Sequence, residues 1–211
     1  MTINYKSFPV GPLQCNCTII GNTSTGKGYL IDPGGDAERI LETIETMNVS
    51  IEAIYHTHAH FDHFLASAEI KEKTGAPIFL NESDRFLWDS LEMQCSYFNI
   101  DFKPTPPPDF NIEDQQDLIH CSGVCLHTQG HTPGSVSFQF ESEKLLIAGD
   151  TLVQGSVGRT DLPGGDFKTL KSSIQEKIYS LDESTVVVTG HGPQTSIKRE
   201  MESNLFIRYD T

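Results

Sequence analysis

The sequence predicts a single-domain α/β protein, and two observations support that prediction. Short apolar segments of strand character alternate along the 211 residues with segments whose apolar residues recur at helical spacing. A chain of this length is enough for one well-buried domain or at most two small ones, and no internal repeat or linker divides it. In addition, His and Asp residues follow several of the predicted strands, which indicates where the function lies.

The first half of the chain is predicted to alternate strands and helices. The segments "CTIIG" and "GYLIDPGG" form a strand pair, and Asp36 can cap the helix that follows. The strands "IEAIY" and "APIFL" enclose a second helix, expected from about Asp62 to near Gly75, and residues 81–98 form a third. The residues expected on the packed faces of these helices are Ile40, Leu41, Ile44, Met47, Phe64, Leu65, Ala68, Phe86, Leu87 and Leu91.

The second half is predicted to be richer in strands. The segment "KPTPPPDFN" at 103–111 must be an extended loop, because its prolines cannot be accommodated in a helix. The strands "DLIH", "VCLHT", "SVSFQF" and "KLLIAG" follow, and a Gly-rich loop at 154–166 leads into a helix. "TVVVTG" is the last clear strand, and "SIKREMESN" can form a closing helix. The apolar face of the helix after the Gly-rich loop is formed by Leu170, Ile174, Ile178 and Leu181.

Charge and cysteine content limit the classes of function. Lys and Arg total 15 against 29 Asp and Glu, a formal net charge of −14 without a basic cluster, so nucleic acid is not an expected partner. The start of the chain lacks the pattern of a signal peptide, and no apolar run approaches the roughly 20 residues of a membrane span. The cysteines show no disulfide framework, so reduced thiols and a cytoplasmic location are predicted. The alternative is a zinc site formed by Cys15, Cys17, Cys121 and Cys125.

The segment "HAHFDH" at 58–63 places four metal-type ligands in six positions. His58 and His60 lie two apart, so their rings point to the same side of an extended segment. Asp62 and His63 follow where the chain is expected to turn into a helix, which directs them at a neighbouring point. One pair therefore suits one metal ion, and the second pair suits another.

Three further ligand-type residues occupy equivalent positions in the predicted fold. His131, Asp150 and His191 each follow a strand, and the loops after the carboxyl ends of strands line the binding crevice of α/β proteins. Seven candidate ligands exceed what one four-coordinate structural ion uses, so two divalent metal ions are predicted, with Asp150 as the natural bridge. Imidazole and carboxylate ligands favour zinc, with iron or manganese as alternatives.

These motifs resemble the metallo-β-lactamase fold superfamily over essentially the whole chain, including the early "IDPGG" element. The segments "HTQGHTPGSVSF" and "GDTLVQGSVGRTDLPGGD" are similar to its hydroxyacylglutathione hydrolase (glyoxalase II) branch in the short bacterial form. The resemblance implies a metallo-β-lactamase-type four-layer αββα sandwich over residues 1–211. The C-terminal helical domain of longer glyoxalase II enzymes is not expected.

The resemblance also implies roles for individual residues. Asp62 and Asp150 are the carboxylates expected at the catalytic centre, where a hydroxide is shared between the two ions. Asp32 is expected to orient a ligand histidine, with a plain turn residue in "DPGG" as the alternative. The seven implied ligands are His58, His60 and His131 for the first metal, Asp62, His63 and His191 for the second, and Asp150 between them.

Arg159 lies where the glyoxalase II family carries a basic residue that contacts the glutathione part of the substrate. A planar guanidinium suits a carboxylate through paired hydrogen bonds. The alternative for Arg159 is a surface ion pair with Asp161 or Asp166. Three histidines match no ligand position. His120 and His127 are expected to be packing or surface residues, and support of a ligand is the alternative for His56, which immediately precedes the cluster.

The implied reaction is hydrolysis of a thioester, with S-2-hydroxyacylglutathione as the expected small-molecule substrate. Paired divalent ions activate a shared water and polarise the acyl oxygen. A thiol has a pKa of about 8.5, so a thiolate can leave without a dedicated general acid. The alternatives are hydrolysis of another ester or lactone, and persulfide oxidation by a single iron held by His58, His131 and Asp150, since persulfide dioxygenases carry a similar "GRTD" stretch. A non-catalytic scaffold is expected to lack ligands, and none is missing.

Overall fold

The computed structural model describes residues 3–208, which form two six-stranded sheets and a small two-stranded hairpin. The strands are β1 (Ile3–Val10), β2 (Cys15–Asn22), β3 (Lys27–Ile31), β4 (Ser50–Tyr55), β5 (Ile78–Leu80), β6 (Phe110–Asn111), β7 (Asp117–Leu118), β8 (Gly123–His127), β9 (Val136–Phe140), β10 (Leu145–Gly149), β11 (Leu152–Val153), β12 (Ser156–Val157), β13 (Val186–Thr189) and β14 (Thr195–Ser196). The helices are α1 (Ala37–Met47), α2 (Ser67–Thr74), α3 (Arg85–Asp89), α4 (Leu91–Tyr97), α5 (Phe167–Ser173) and α6 (Ile197–Ser203).

The two sheets differ in how their strands pair. The first has the order β1-β2-β3-β4-β5-β6, antiparallel over its first three strands and parallel from β3 to β6. The second has the order β14-β13-β10-β9-β8-β7, in which β10 and β13 are parallel and the other neighbours antiparallel. The carboxyl ends of β4, β8, β10 and β13 carry the loops that hold the predicted ligands.

Three apolar clusters define the layers of the fold. One lies between the sheets and joins residues such as Ile31 and Tyr55 of the first sheet to Phe138 and Ile147 of the second. Another packs the opposite face of the first sheet against α1 to α4, and the third packs the second sheet against α5 and α6. The single-domain α/β fold and the four-layer αββα arrangement are therefore confirmed.

The helix predicted from Asp62 begins later than expected. A 3₁₀ turn spans Phe61–His63, and α2 starts only at Ser67. The tighter turn keeps the side chains of Asp62 and His63 buried at the site. The predicted packed face is also partly wrong, because Ala68 is half-buried while Ile70 is fully buried.

The helix predicted at 81–98 is divided. A 3₁₀ turn at Glu82–Asp84 precedes α3, and α3 and α4 are separated at Ser90. Leu87 and Leu91 are buried as predicted, but Phe86 is 45% exposed and does not belong to the core.

Strand β1 was not predicted, and two further predictions need correction. Asp36 precedes α1 without capping it, since its carboxylate accepts a hydrogen bond from the Gly11 amide at 3.0 Å. His120 lies in a turn after β7 instead of in a strand, and its amide donates to the Tyr29 hydroxyl at 3.0 Å. By contrast, the helix after the Gly-rich loop forms as predicted and continues as a π-helical turn at Ile174–Ile178.

The five cysteines are buried free thiols, in agreement with the prediction of reduced cysteines. Among the described residues, no group of potential metal ligands includes Cys17, Cys121 or Cys125, so the alternative four-cysteine zinc site is wrong. Cys121 and Cys125 lie instead in the apolar layer between the sheets. Within residues 3–208, no helix has both the length and the apolar character required to cross a bilayer.

Candidate metal centre

The seven predicted ligands meet at one end of the two sheets. The 58–63 segment follows β4 of the first sheet, while the other three residues follow β8, β10 and β13 of the second. Within each of three overlapping groups, the possible ligand atoms all lie within 4.8 Å of one another. The groups are His58, His60 and His131; His58, His63 and Asp150; and Asp62, His63 and His191.

The first half of the centre is a triangle of three histidine nitrogens. The Nδ1 atom of His60 lies 3.0 Å from Nε2 of His58 and 3.0 Å from Nε2 of His131. The two Nε2 atoms of His58 and His131 are 3.2 Å apart. All three side chains are buried. We refer to this set as the three-histidine half.

The second half contains one carboxylate and two histidines, and Asp150 connects the halves. The Oδ2 atom of Asp62 lies 3.1 Å from Nε2 of His191 and 3.7 Å from Nε2 of His63. Asp150 places Oδ1 3.8 Å from Nε2 of His63, and Oδ2 3.6 Å from Nε2 of His131 and 3.7 Å from Nε2 of His191. Asp150 therefore lies between the two halves, within 3.8 Å of a histidine nitrogen of each.

Main-chain carbonyls fix the orientation of two of the histidines. Nδ1 of His131 donates to the carbonyl oxygen of Arg159 at 2.7 Å, and Nδ1 of His191 donates to that of Leu13 at 3.0 Å. A carbonyl oxygen can only accept, so the hydrogen of each neutral ring is on Nδ1. When such a ring is neutral, its Nε2 lone pair points into the centre, where it can bind a cation; a hydrogen on Nε2, which the contact of His191 with Asp62 favours, takes the place of that cation.

Asp32 fixes the orientation of two more histidines. Its Oδ2 atom accepts from Nδ1 of His63 at 3.0 Å and from the hydroxyl of Thr57 at 2.7 Å. That hydroxyl in turn accepts from Nδ1 of His58 at 3.0 Å. Asp32 also has a positive φ of 52°, so this residue of the turn contacts His63 directly and His58 through Thr57.

The donor set fits two divalent cations. The Nε2 atoms of His58 and His131, which point inward as lone pairs when the rings are neutral, lie 3.2 Å apart, and this contact is repulsive unless a cation lies between them. Two buried atoms that face the centre, Nε2 of His63 and Oδ1 of Asp150, have no hydrogen-bond partner. Neutral imidazole and carboxylate are the ligands that zinc, iron and manganese share.

The two halves differ electrostatically. Burial lowers the pKa of His58 well below its ordinary value and lowers that of His60 to about 3, so both rings are neutral. In the second half, burial also opposes the charged form of His63, but Cys15 and Asp32 outweigh it and raise the pKa of His63. Burial likewise opposes a charged His191, whose pKa the hydrogen bond to Asp62 nevertheless raises.

The Arg159 side chain lies at the surface, while its main chain contacts the centre. Its Nε and Nη2 atoms donate to Oδ1 and Oδ2 of Asp161, both at 2.7 Å. The structure therefore shows the ion pair with Asp161 that was the alternative for this residue. The carbonyl oxygen of Arg159 is the acceptor for His131, which places this loop beside the three-histidine half.

Three residues that contact the site were not predicted from the sequence. The Sγ atom of Cys15 lies 3.4 Å from Nδ1 of His63. The side-chain amide of Asn16 donates to the carbonyls of Thr189 and Gly192, on either side of His191, at 2.8 and 2.9 Å. The third is Asp84, a fully buried carboxylate between two ligand loops. Their chain positions carry no motif, so only the folded arrangement reveals them.

His56 lies behind the ligands instead of among them. Its ring stacks on Phe64 with centroids 3.5 Å apart, and Nε2 lies 3.2 Å from the Ser67 hydroxyl. Its Nδ1 atom is 3.9 Å from Oδ1 of Asp32. Of the other two histidines outside the ligand set, His127 is in β8 with Nε2 2.8 Å from the carbonyl oxygen of Pro133.

A family model described as the metallo-beta-lactamase superfamily matches residues 10–191. The chain therefore belongs to the metallo-beta-lactamase superfamily. It is 36% identical over 209 residues to the hydroxyacylglutathione hydrolase GloC of Haemophilus influenzae, covering 97% of this chain and 98% of that protein.

Two solved structures are similar over nearly their whole lengths. The BLEG-1 B3 metallo-beta-lactamase is 36% identical with a TM-score of 0.89, covering 97% of this chain and 99% of that one. TTHA1623 in a di-iron-bound form is 34% identical with a TM-score of 0.89, covering 96% of this chain and 100% of that one. The chain is thus a metallo-hydrolase of this superfamily with His and Asp groups that can bind metal.

Proposed function

We propose that this protein is a binuclear metal-dependent thioesterase whose substrate is an S-2-hydroxyacylglutathione. The observation that carries the proposal is the convergence of inward-facing nitrogens in two adjacent ligand sets, with Asp150 in contact with both. A single structural ion with four ligands would leave one of these two ligand sets without a role. We further propose a cytoplasmic location, on the basis of the five free thiols, and no nucleic acid or membrane partner.

The residues of the chain prepare the site for acyl hydrolysis. Two divalent cations held here supply an activated water and polarise the acyl oxygen of the substrate. Asp150 keeps the two ligand sets in register, while Asp32 holds His58 (through Thr57) and His63 in the orientation that presents Nε2. A thiolate leaving group has a conjugate-acid pKa of about 8.5, so the reaction needs no separate proton donor.

The choice of substrate is supported by the GloC relative and by Arg159. Glutathione carries carboxylates, and a guanidinium can bind a carboxylate through paired hydrogen bonds. Asp161 engages the Nε and Nη2 atoms, which leaves the Nη1 side of Arg159 available for the substrate. The carbonyl oxygen of Arg159 contacts His131, so the Arg159 loop lies beside the proposed metal centre.

Zinc is the proposed metal, and iron is the alternative, since TTHA1623 has been solved with two irons. The test is to purify the protein without added metal, quantify zinc, iron and manganese, and follow hydrolysis of S-lactoylglutathione. Oxygen uptake on glutathione persulfide and cleavage of a β-lactam are measured on the same preparation. We expect two metals per chain and thioester hydrolysis as the fastest reaction.

Two results would contradict the proposal. A preparation with both positions filled that leaves the thioester intact excludes the assigned substrate. One iron per chain with oxygen uptake on the persulfide identifies a dioxygenase instead.

A further inference from the structure

Asp84 is a fully buried carboxylate whose hydrogen bonds join the two loops of the three-histidine half. Its Oδ2 atom accepts from the amide of Ala59 at 3.0 Å and from the hydroxyl of Thr132 at 2.7 Å. Its Oδ1 atom accepts from the amide of Gly134 at 2.6 Å. The first contact is on the loop after β4, and the other two are on the loop after β8.

These contacts lie directly beside all three ligands of that half. Ala59 is between His58 and His60 in the chain, and Thr132 follows His131. The two loops come from different sheets, and one main-chain hydrogen bond joins them near their ends, from the amide of Val136 to the carbonyl oxygen of Thr57 at 2.8 Å. The side chain of Asp84 connects them at the positions where their spacing determines the nitrogen triangle.

The space around Asp84 shows that this contact is close. A Cβ added to Gly134 would lie 2.6 Å from Cγ and 2.7 Å from Oδ1 of Asp84, so only glycine allows the loop to approach this far. The three partners are two amides and a hydroxyl, all of which donate. An uncharged amide in place of the carboxylate would put its NH₂ group opposite at least one of these donors.

We propose that Asp84 is a positioning residue for the three-histidine half, acting through the main chain that carries His58, His60 and His131. This proposal rests on the proposed function of the metal centre. Asp84 does not touch the reacting atoms. Its role is to hold the two loops at the spacing that one cation requires, and its loss should weaken one metal position more than the other.

The test is a zinc titration of the Asp84→Asn variant that resolves both binding events. We expect binding at one position to weaken by about 10–100-fold, the range measured when a group that supports a ligand is removed. The matched control is Glu200→Gln. Glu200 is also a fully buried carboxylate with three partners, namely Gly155, Thr195 and Asn204. It contacts neither of the two loops that form the three-histidine half.

A second variant covers the case in which Asp84→Asn does not fold. Thr132→Val keeps the carboxylate, the shape of the residue and both amide contacts, and removes the hydroxyl that donates to Asp84 together with its 2.7 Å contact to the Ser135 hydroxyl. We expect a smaller loss of zinc affinity at the same position. If Asp84→Asn does not fold, the zinc affinity of the Thr132→Val variant tests the proposal by the same criteria.

Three results would overturn the inference. The first is folded Asp84→Asn or Thr132→Val protein with zinc affinities equal to those of the unmodified chain. The second is an equal loss of zinc affinity in Glu200→Gln, which would mean that any lost buried carboxylate has this effect. The third is unmodified protein that binds no zinc, and it is the only one of the three that also overturns the proposed function.

Discussion

The chemistry of the centre depends on which nitrogen of each histidine carries the hydrogen. Main-chain carbonyls determine this for His131 and His191, and no side-chain substitution elsewhere removes them. For His58 and His63 the determining group is one side chain, Asp32, directly or through Thr57. The orientation of two of the five ligand histidines therefore depends on a single side chain.

Asp32→Asn should weaken zinc binding by about 10–100-fold, because the NH₂ group of the amide would face a donor in either orientation: the Thr57 amide at the Oδ1 position, or His63 and the Thr57 hydroxyl at the Oδ2 position. Competition with a chromophoric chelator measures the affinity. An unchanged affinity in folded protein would show that the ring orientation does not depend on Asp32.

Arg159→Ala should raise KM for S-lactoylglutathione and leave kcat nearly unchanged, since the guanidinium binds the thiol part and not the acyl carbon. A charge-assisted hydrogen bond contributes about 1.5–3 kcal/mol, so kcat/KM should fall on the order of 10-fold to 100-fold. Arg85→Ala is the control, because Arg85 also pairs with a nearby Asp at the surface. Steady-state kinetics that show equal KM values in both variants would remove Arg159 from the substrate site.

At the residue scale, the sequence was sufficient to find the ligand types and one supporting residue, Asp32, but not the other supports. His131, Asp150 and His191 each follow a strand, and that position is visible in the pattern. Asp84 and Asn16 act on loops that are distant in the chain, 50 residues away for Asp84 and Gly134, and the pattern holds no sign of such contacts. The pairing of Arg159 with Asp161 also depends on the loop conformation.

At the scale of elements, the loops after strands are held by close main-chain approaches. The clearest case is Gly190, at the end of β13, where an added Cβ would lie 1.9 Å from Oδ1 of Asp150. The parallel pairing of β10 and β13 creates this proximity. The bridging carboxylate thus keeps its position only because its neighbour on the adjacent strand has no side chain.

Gly190→Ala should abolish binding of the second metal equivalent, because the new methyl group displaces the Asp150 carboxylate. Metal content after dialysis is the measurement. Gly75→Ala is the control, because no heavy atom lies within 4 Å of its added Cβ. Its positive φ of 72° disfavours alanine, so this substitution should lower the stability of the protein without changing its metal content. Full metal content in the Gly190→Ala protein would contradict the position assigned to Asp150.

The prediction of elements succeeded where apolar spacing was regular and failed elsewhere. Strand β1 is exposed at alternate positions along most of its length and lies at a sheet edge, so its apolar signal is weak. The 3₁₀ turn at Phe61–His63 replaces the first helical turn, a local choice that spacing does not reveal. Phe86, Leu87 and Leu91 share one helix face only if a single helix runs through all three residues. The break at Ser90 divides that helix, so the predicted face does not form.

At the scale of the whole molecule, the centre joins the two sheets. Four ligands come from the loop after β4 in the first sheet, and three come from the second sheet. Cations bound here would therefore connect the two sheets in addition to the apolar layer between them. The α/β class followed from the alternation of strands and helices and the four-layer arrangement from the family resemblance, whereas this coupling follows only from the assembled structure.

Removal of metal should lower the free energy of unfolding. A ligand that binds only the folded state stabilises it by about 2.7 kcal/mol when its free concentration is 100 times its Kd. Denaturant titrations with and without a chelator measure the difference, which should shrink in Asp150→Asn protein. Identical curves for the unmodified chain would show that metal binding is not coupled to folding.

The most direct measurement is the number of zinc ions bound when chelator-stripped protein is titrated at pH 7. The account predicts two equivalents per chain, because seven ligands form two sets that share Asp150. Saturation at one equivalent, or no binding, would contradict it.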